Sequence, residues 1–131
     1  MSGYLADTSV FIAAEQGRPL GEPPAGEARI SVATVTELLV GVHRASDRPM
    51  RELRESTLRS ARRFIALPFD GPVAERLAAL VAEARTQRRR AGAMDAIVAA
   101  TALAHDLAVW TQDDDFTVLA QLEPELRVHR G

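Results

Sequence analysis

The sequence has 131 residues, which is enough for a single domain with a hydrophobic core over residues 1–131. Hydrophobic residues make up 47% and charged residues 26%, which are ordinary values for a globular protein. The chain contains no cysteine, which excludes disulfides and thiolate metal sites, and no lysine, which excludes Schiff-base chemistry. The formal net charge is −2, so any contact with nucleic acid must come from a local basic surface.

No targeting or membrane segment is visible in the sequence. The N-terminus has neither a basic region nor a long apolar run, so we expect no signal peptide. The most apolar stretch, residues 96–110, contains His105 and Asp106 and is too short to span a membrane. We therefore expect a cytoplasmic protein without a membrane partner.

Short apolar runs alternate with helical patterns along the chain. The expected strands cover residues 3–6, 28–32, 65–69, 107–110 and 126–128. The expected helices cover residues 10–14, about 35–42, 47–64, 73 to about 90 and 95–105, with a short helix before the last strand. Strands that alternate with helices favour a parallel α/β sheet.

The helix that begins near Asp95 is the most distinctive of these elements. Small apolar residues fill it up to His105, which predicts that it packs closely against the sheet. Asp95 lies in its first turn, where a carboxylate complements the helix dipole and can cap free backbone N–H groups.

Acidic residues follow several of the expected strands. Asp7 comes directly after the first strand, Glu37 a few residues after the second, and residues 113–115 after the fourth. The carboxyl ends of parallel strands share one edge of a sheet, so these acids and Asp95 can converge there. Two carboxylates about 4 Å apart repel by roughly 4 kcal/mol at an effective dielectric constant near 20, which favours a bound cation. Carboxylate oxygens suit Mg²⁺ or Mn²⁺, and metal-assisted phosphodiester hydrolysis is the chemistry that such a site supports.

Each acid also has a simpler local interpretation. Asp7 can be the N-cap of the following helix, or that helix can be capped by Thr8 or Ser9. Glu37, placed in the first turn of its helix, can be the partner of Thr34 in a capping box. The run 113–115 can be an acidic turn.

Four segments resemble the successive motifs of PIN-domain ribonucleases, and most closely the VapC toxins of bacterial toxin–antitoxin pairs. They are residues 5–12, 35–42, 94–102 and 111–116, which occur in the family's order and at a similar spacing over essentially the whole chain. The resemblance implies a PIN-like α/β/α sandwich with a central parallel sheet of four or five strands flanked by helices. It also implies an endoribonuclease that depends on Mg²⁺ (or Mn²⁺) and cuts a structured RNA such as tRNA or rRNA.

The resemblance also assigns roles to individual acids. It places the first three acidic positions on Asp7, Glu37 and Asp95, and the fourth on Asp113 and Asp115. Asp7 and Asp95 are expected to bind the metal directly. Glu37 and Asp113 are expected to act through water or to complete the metal cage.

Neighbouring hydroxyl groups are expected to orient these carboxylates, namely those of Thr8 or Ser9 and of Thr111. An additional acid, Asp114, leaves the choice within the run 113–115 open. The resemblance further implies a homodimer and a VapB-type antitoxin that binds a groove formed by helices 47–64 and 73–90.

Arg88, Arg89 and Arg90 precede Asp95 and have two interpretations that remain open. They can be a solvated helix end, or they can contact RNA phosphates. Trp110 and Phe116 are expected in the core rather than as platforms for base stacking. The alternative function is a catalytically inactive PIN-like module that binds RNA or protein, although all four acidic positions are filled. The residues do not decide between RNA and DNA.

Overall fold

The computed structural model describes residues 3–131 as a five-stranded parallel sheet with helices on both faces. The strands are β1 (Tyr4–Ala6), β2 (Ala28–Ser31), β3 (Ala66–Leu67), β4 (Ala108–Thr111) and β5 (Val128–Arg130). The helices are α1 (Thr8–Glu15), α2 (Val32–His43), α3 (Arg48–Ala61), α4 (Gly71–Thr86), α5 (Ala93–His105) and α6 (Thr117–Leu122). This architecture confirms the expected α/β/α sandwich.

The order of the strands defines where a site can form. The sheet runs β3-β2-β1-β4-β5, and every neighbouring pair is parallel. In chain order, the strands β2 and β3 are therefore added on one side of β1, and β4 and β5 are added later on its other side. Open α/β sheets bind ligands at such a reversal, beyond the carboxyl ends of the strands. Asp7 follows β1 directly and Thr111 ends β4, so both lie at this position.

Alternating side chains on the central strands divide the core in two. Leu5 of β1 and Val109 of β4 pack with Val98 of α5 on one face of the sheet. Tyr4 and Trp110 pack on the opposite face, with residues from α1, α2 and α3. Trp110 is 8% exposed, which confirms its expected place in the core. The period-2 pattern of the strands thus anchors one helical layer on each face.

The small residues of α5 allow the close packing that the sequence predicts. Ala99, Ala100 and Ala102 have no exposed surface, and the helix contacts β1, β2 and β4. The helix ends at His105, and Asp106 adopts a left-handed conformation with φ of 53° at its C-cap. Close packing fixes the N-terminus of α5, and therefore Asp95, against the sheet edge.

Several predicted boundaries were wrong. The last strand begins at Val128 rather than at 126, because Leu126 packs into the core before the strand starts. The helix predicted to reach residue 90 ends at Thr86, and Arg88 has a φ of 54° that a right-handed helix cannot contain. The helix predicted for 47–64 ends at Ala61. In the described part of the chain, no helix is long and apolar enough to cross a membrane.

Candidate active site

Asp7 is a buried carboxylate at the start of α1. It is 3% exposed and is the N-cap of α1, so neither Thr8 nor Ser9 has the capping role. Its Oδ2 accepts hydrogen bonds from Ser9 Oγ at 2.8 Å and Ser9 N at 3.4 Å, and lies 3.1 Å from Thr111 Oγ1. Burial raises the pKa of Asp7, and the hydrogen bonds from Ser9 and Thr111 oppose that rise. The carboxylate is therefore both a helix cap and a fixed, partly desolvated acid.

Glu37 reaches the same edge from α2. The N-cap of this helix is Ser31, whose hydroxyl accepts a hydrogen bond from Ala33 N at 3.0 Å. Glu37 therefore lies in the second turn, and the predicted capping box with Thr34 was wrong. Thr8 Oγ1 donates to Glu37 Oε1 at 2.7 Å and fixes its orientation. Burial raises the pKa of Glu37, and the negative charge of Asp7 raises it further.

Asp95 lies in the first turn of α5, as predicted, but it does not cap the helix. The N-cap is Gly92, and no side chain makes a capping hydrogen bond there. A Cβ atom on Gly92 would lie 3.2 Å from Asp95 Oδ2, so the glycine leaves room for the carboxylate. Burial, followed by the charge of Asp7, raises the pKa of Asp95 to about 7.

These acids form one group, which we call the acidic cluster (Asp7, Glu37 and Asp95). Each offers a carboxylate oxygen, and the oxygens lie within 4.8 Å of one another. Three carboxylates at this separation repel one another strongly when all are ionised. The oxygen-only ligand set matches the preference of hard divalent cations, so the acidic cluster could hold a metal ion.

The loop at residues 113–115 lies beside the acidic cluster, and its acids differ from one another. Asp113 Oδ1 accepts a hydrogen bond from Asp115 N at 3.1 Å and lies 3.2 Å from Thr111 Oγ1. Asp114 forms an exposed ion pair with Arg130 at 3.2 Å. The charges of Asp113 and Asp115 contribute to the raised pKa of Asp95, with Asp115 contributing more. The placement of the fourth acidic position on Asp113 and Asp115 stays a prediction.

Hydroxyl groups connect the loop to Asp7. Ser9 Oγ accepts a hydrogen bond from Gln112 N at 2.9 Å and lies 3.1 Å from Thr111 Oγ1. Ser9 and Thr111 therefore contact Asp7, whereas Thr8 contacts Glu37. These are the hydroxyl groups that the sequence suggested for orienting the carboxylates.

The arginine run 88–90 lies in the connection between α4 and α5. Arg89 Nη2 donates to Gln121 Oε1 at 2.9 Å. Arg89 and Arg90, together with Arg85, border a cavity of about 250 Å³ beside Ala96, the residue after Asp95. Contact of Arg88, Arg89 and Arg90 with RNA stays a prediction.

The sequence interpretation missed the contributions of Gly92 and Ser31. Gly92 precedes the helix pattern of α5 and has no functional side chain. Its role is visible only in the structure, where a Cβ atom at this position would crowd the Asp95 carboxylate. Ser31 stands three residues before Thr34, and either hydroxyl could begin a helix. The extent of the preceding strand β2, which ends at Ser31, decides between them.

The chain matches the PIN domain family over residues 4–122. It is 42% identical to ribonuclease VapC4 of Mycobacterium tuberculosis over 120 residues, covering 91% of this chain and 92% of the relative. It is 40% identical to ribonuclease VapC5 of the same organism over 116 residues, covering 88% of this chain and 86% of the relative.

A solved structure shows the same fold. The crystal structure of VapBC-5 from Mycobacterium tuberculosis, a member of the VapBC family of toxin–antitoxin systems, contains a chain that superposes with a TM-score of 0.85. The two chains are 33% identical, and the superposition covers 100% of both. The sequence matches and the superposition therefore agree over nearly the full length of the chain.

Proposed function

Because this chain belongs to the PIN-domain family and is related to the VapC ribonucleases, we propose that it is the endoribonuclease toxin of a VapBC-type toxin–antitoxin pair. It hydrolyses phosphodiester bonds in a structured RNA, such as tRNA or rRNA, in the cytoplasm. The observation that carries this proposal is the acidic cluster, in which residues far apart in sequence bring carboxylate oxygens within 4.8 Å of one another.

Mg²⁺, or Mn²⁺ in its place, is the proposed ion. Asp7 and Asp95 would bind it directly, Glu37 and Asp113 would act through water or complete the cage, and Asp115 would be a further ligand. When bound, the ion would activate a water molecule and stabilise the negative charge that develops at the phosphate. The hydrogen bonds from Ser9 to Asp7 and from Thr8 to Glu37 hold the carboxylates in place before the substrate arrives.

Metal-dependent cleavage is the direct test of this function. Purified protein is incubated with labelled structured RNA and with DNA of the same sequence, first in a chelator and then with Mg²⁺ or Mn²⁺ restored. We expect RNA cleavage only after the ion is restored. Equal cleavage in the chelator contradicts the metal site, cleavage of DNA alone contradicts the ribonuclease, and RNA binding without cleavage favours the inactive module.

The proposed partner is a VapB-type antitoxin, and the toxin is proposed to be a homodimer. The antitoxin was predicted to bind a groove between α3 and α4, but these helices pack on opposite faces of the sheet. Exposed apolar side chains support a partner on α2 and α3 instead: Val40 is 49%, Leu53 43% and Met50 36% exposed. A short reading frame immediately upstream of the gene is the expected source of the antitoxin. Co-expression should yield a complex with suppressed RNA cleavage, and a fully active enzyme in that complex contradicts the pairing.

A further inference from the structure

A groove leads away from the acidic cluster between α1, α2 and α3. Its cavity is about 370 Å³ and is bordered by Glu37 at one end and by Arg44 and Arg54 along its length. Glu37 on α2 and Arg44, the C-cap of this helix, lie two turns apart, which corresponds to about 10 Å along the helix axis. The groove is therefore continuous with the acidic cluster and carries positive charge at a distance from it.

Arg54 is the most informative residue in this groove. It is half-buried, and its Nη1 donates to the backbone carbonyl of Gly41 at 2.7 Å. Within residues 3–131, neither Arg54 nor Arg44 has a carboxylate partner within ion-pair distance. By contrast, Arg48 and Arg51 on the same helix pair with carboxylates one turn further on. A partly desolvated guanidinium without a counter-charge favours an anionic ligand, and its planar fork suits a phosphate.

Two carboxylates also border the groove, and each accepts a hydrogen bond from a threonine hydroxyl. Glu15 also borders it, but its carboxylate accepts a hydrogen bond from Thr57 Oγ1 at 2.7 Å. Glu37 accepts from Thr8 and belongs to the proposed metal site. Both glutamates keep their negative charge, so the attraction for a phosphate is local to Arg44 and Arg54 and is not a property of the whole groove.

We propose that this groove binds a backbone phosphate of the RNA strand that flanks the scissile linkage, through Arg44 and Arg54. The proposal rests on the proposed ribonuclease function. The acidic cluster repels a polyanion until a cation is bound, so an arginine contact nearby holds the strand in register. Gly41 also borders the groove, and a Cβ at that position would be in ordinary contact with Arg54 Cδ, at 3.8 Å, so a larger side chain would occupy the space beside Arg54.

The test compares the double variant Arg44→Gln/Arg54→Gln with Arg59→Gln. Arg59 is an exposed residue of α3 without an ion pair among residues 3–131, and it does not border the groove. With a structured RNA that is cleaved in a single-stranded loop, and with Mg²⁺, we expect the double variant to raise KM about tenfold and to change kcat less than about twofold. The slope of log(kcat/KM) against log salt should fall by about 0.7 for each RNA phosphate that the variant no longer neutralises. Arg59→Gln should resemble the parent.

A substrate series locates the bound phosphate. One neutral methylphosphonate linkage is moved along the RNA, and the parent should lose affinity at a flanking position where the double variant loses none. The variant Gly41→Leu retains both arginines and fills the groove with a residue that favours a helix, so it should raise KM by a similar factor. It keeps the inference testable if the double variant does not fold.

The outcomes separate the two proposals. A parent protein without RNA cleavage overturns the ribonuclease and this inference with it. If the parent cleaves RNA, but the double variant and Gly41→Leu both keep its KM, its salt slope and its methylphosphonate profile, only the phosphate site is overturned. A fall in kcat without a rise in KM also contradicts the phosphate site.

Discussion

Two acidic regions meet at the same edge of the sheet, but their surroundings differ. In the acidic cluster, Asp7 is 3% exposed and held by hydroxyl groups from α1 and β4. In the loop 113–115, Asp114 is largely exposed and paired with Arg130. Burial raises the pKa of every member of the acidic cluster. Desolvation and mutual repulsion therefore favour a cation at the acidic cluster, whereas the exposed Asp114 at the same edge forms an ion pair with an arginine.

Removing one charge from the acidic cluster should have the largest effect on activity. We expect Asp95→Asn to lower RNA cleavage by about a thousandfold, because a metal ligand contributes several kcal/mol to transition-state stabilisation. The measurement is single-turnover cleavage in Mg²⁺, with the folded state checked by circular dichroism. Activity close to that of the parent would remove Asp95 from the metal site.

The hydrogen bond that orients Glu37 should have the next largest effect. Thr8→Val keeps the shape of the side chain and removes the donor 2.7 Å from Glu37 Oε1. We expect cleavage to fall about ten- to a hundredfold, which is the usual effect of losing a hydrogen bond to a ligand. The matched control is Thr36→Val, since the Thr36 hydroxyl donates only to Val32 O on the exposed side of α2. Equal effects of the two substitutions would contradict the role of Thr8.

The raised pKa of Asp95 predicts how stability depends on pH in the absence of a metal. The folded protein holds this proton up to about pH 7, whereas the unfolded chain releases it near pH 4. The folded state binds more protons between these values, so the free energy of unfolding should fall as the pH rises through this range. We expect a loss of about 2 kcal/mol, half the value for a fully buried group, because solvent screens this half-exposed carboxyl.

Urea unfolding in a chelator at pH 4 and pH 8 measures this loss. Asp95→Asn should remove most of this pH dependence, because the amide does not titrate. Mg²⁺ should oppose the loss at pH 8, since it binds the ionised carboxylates of the folded state. The same pH dependence in parent and variant would show that another group causes it.

The sequence was sufficient to predict the positions of Asp7 and Asp95. Asp7 follows a short apolar run and Asp95 lies at a helix start, and both patterns can be recognised without knowledge of tertiary contacts. The sequence also predicted that Glu37 reaches the same edge of the sheet. It did not predict the turn of α2 that carries Glu37, since this depends on whether Ser31 or Thr34 caps the helix. It was also insufficient for Arg54, because the arginines of α3 alternate with glutamates and look equivalent until Gly41 is packed against one of them. Local pattern determines the elements, whereas tertiary contacts determine which of several chemically similar side chains enters the site.

Asp114→Asn should have the smallest effect of all, and comparison with its neighbours should rank the acids of the loop 113–115. The side chains of Asp114 and Arg130 are both exposed in their ion pair. We therefore expect Asp114→Asn to change the free energy of unfolding by less than about 0.5 kcal/mol and the cleavage rate by less than about twofold. Asp115→Asn should lower cleavage more, because the charge of Asp115 is the second largest electrostatic cause of the raised pKa of Asp95. Cleavage rates of the two variants at saturating Mg²⁺ decide between these positions. A larger loss in Asp114→Asn would mean that its pairing with Arg130 breaks when the metal binds, and that the exposed acid belongs with the acidic cluster after all.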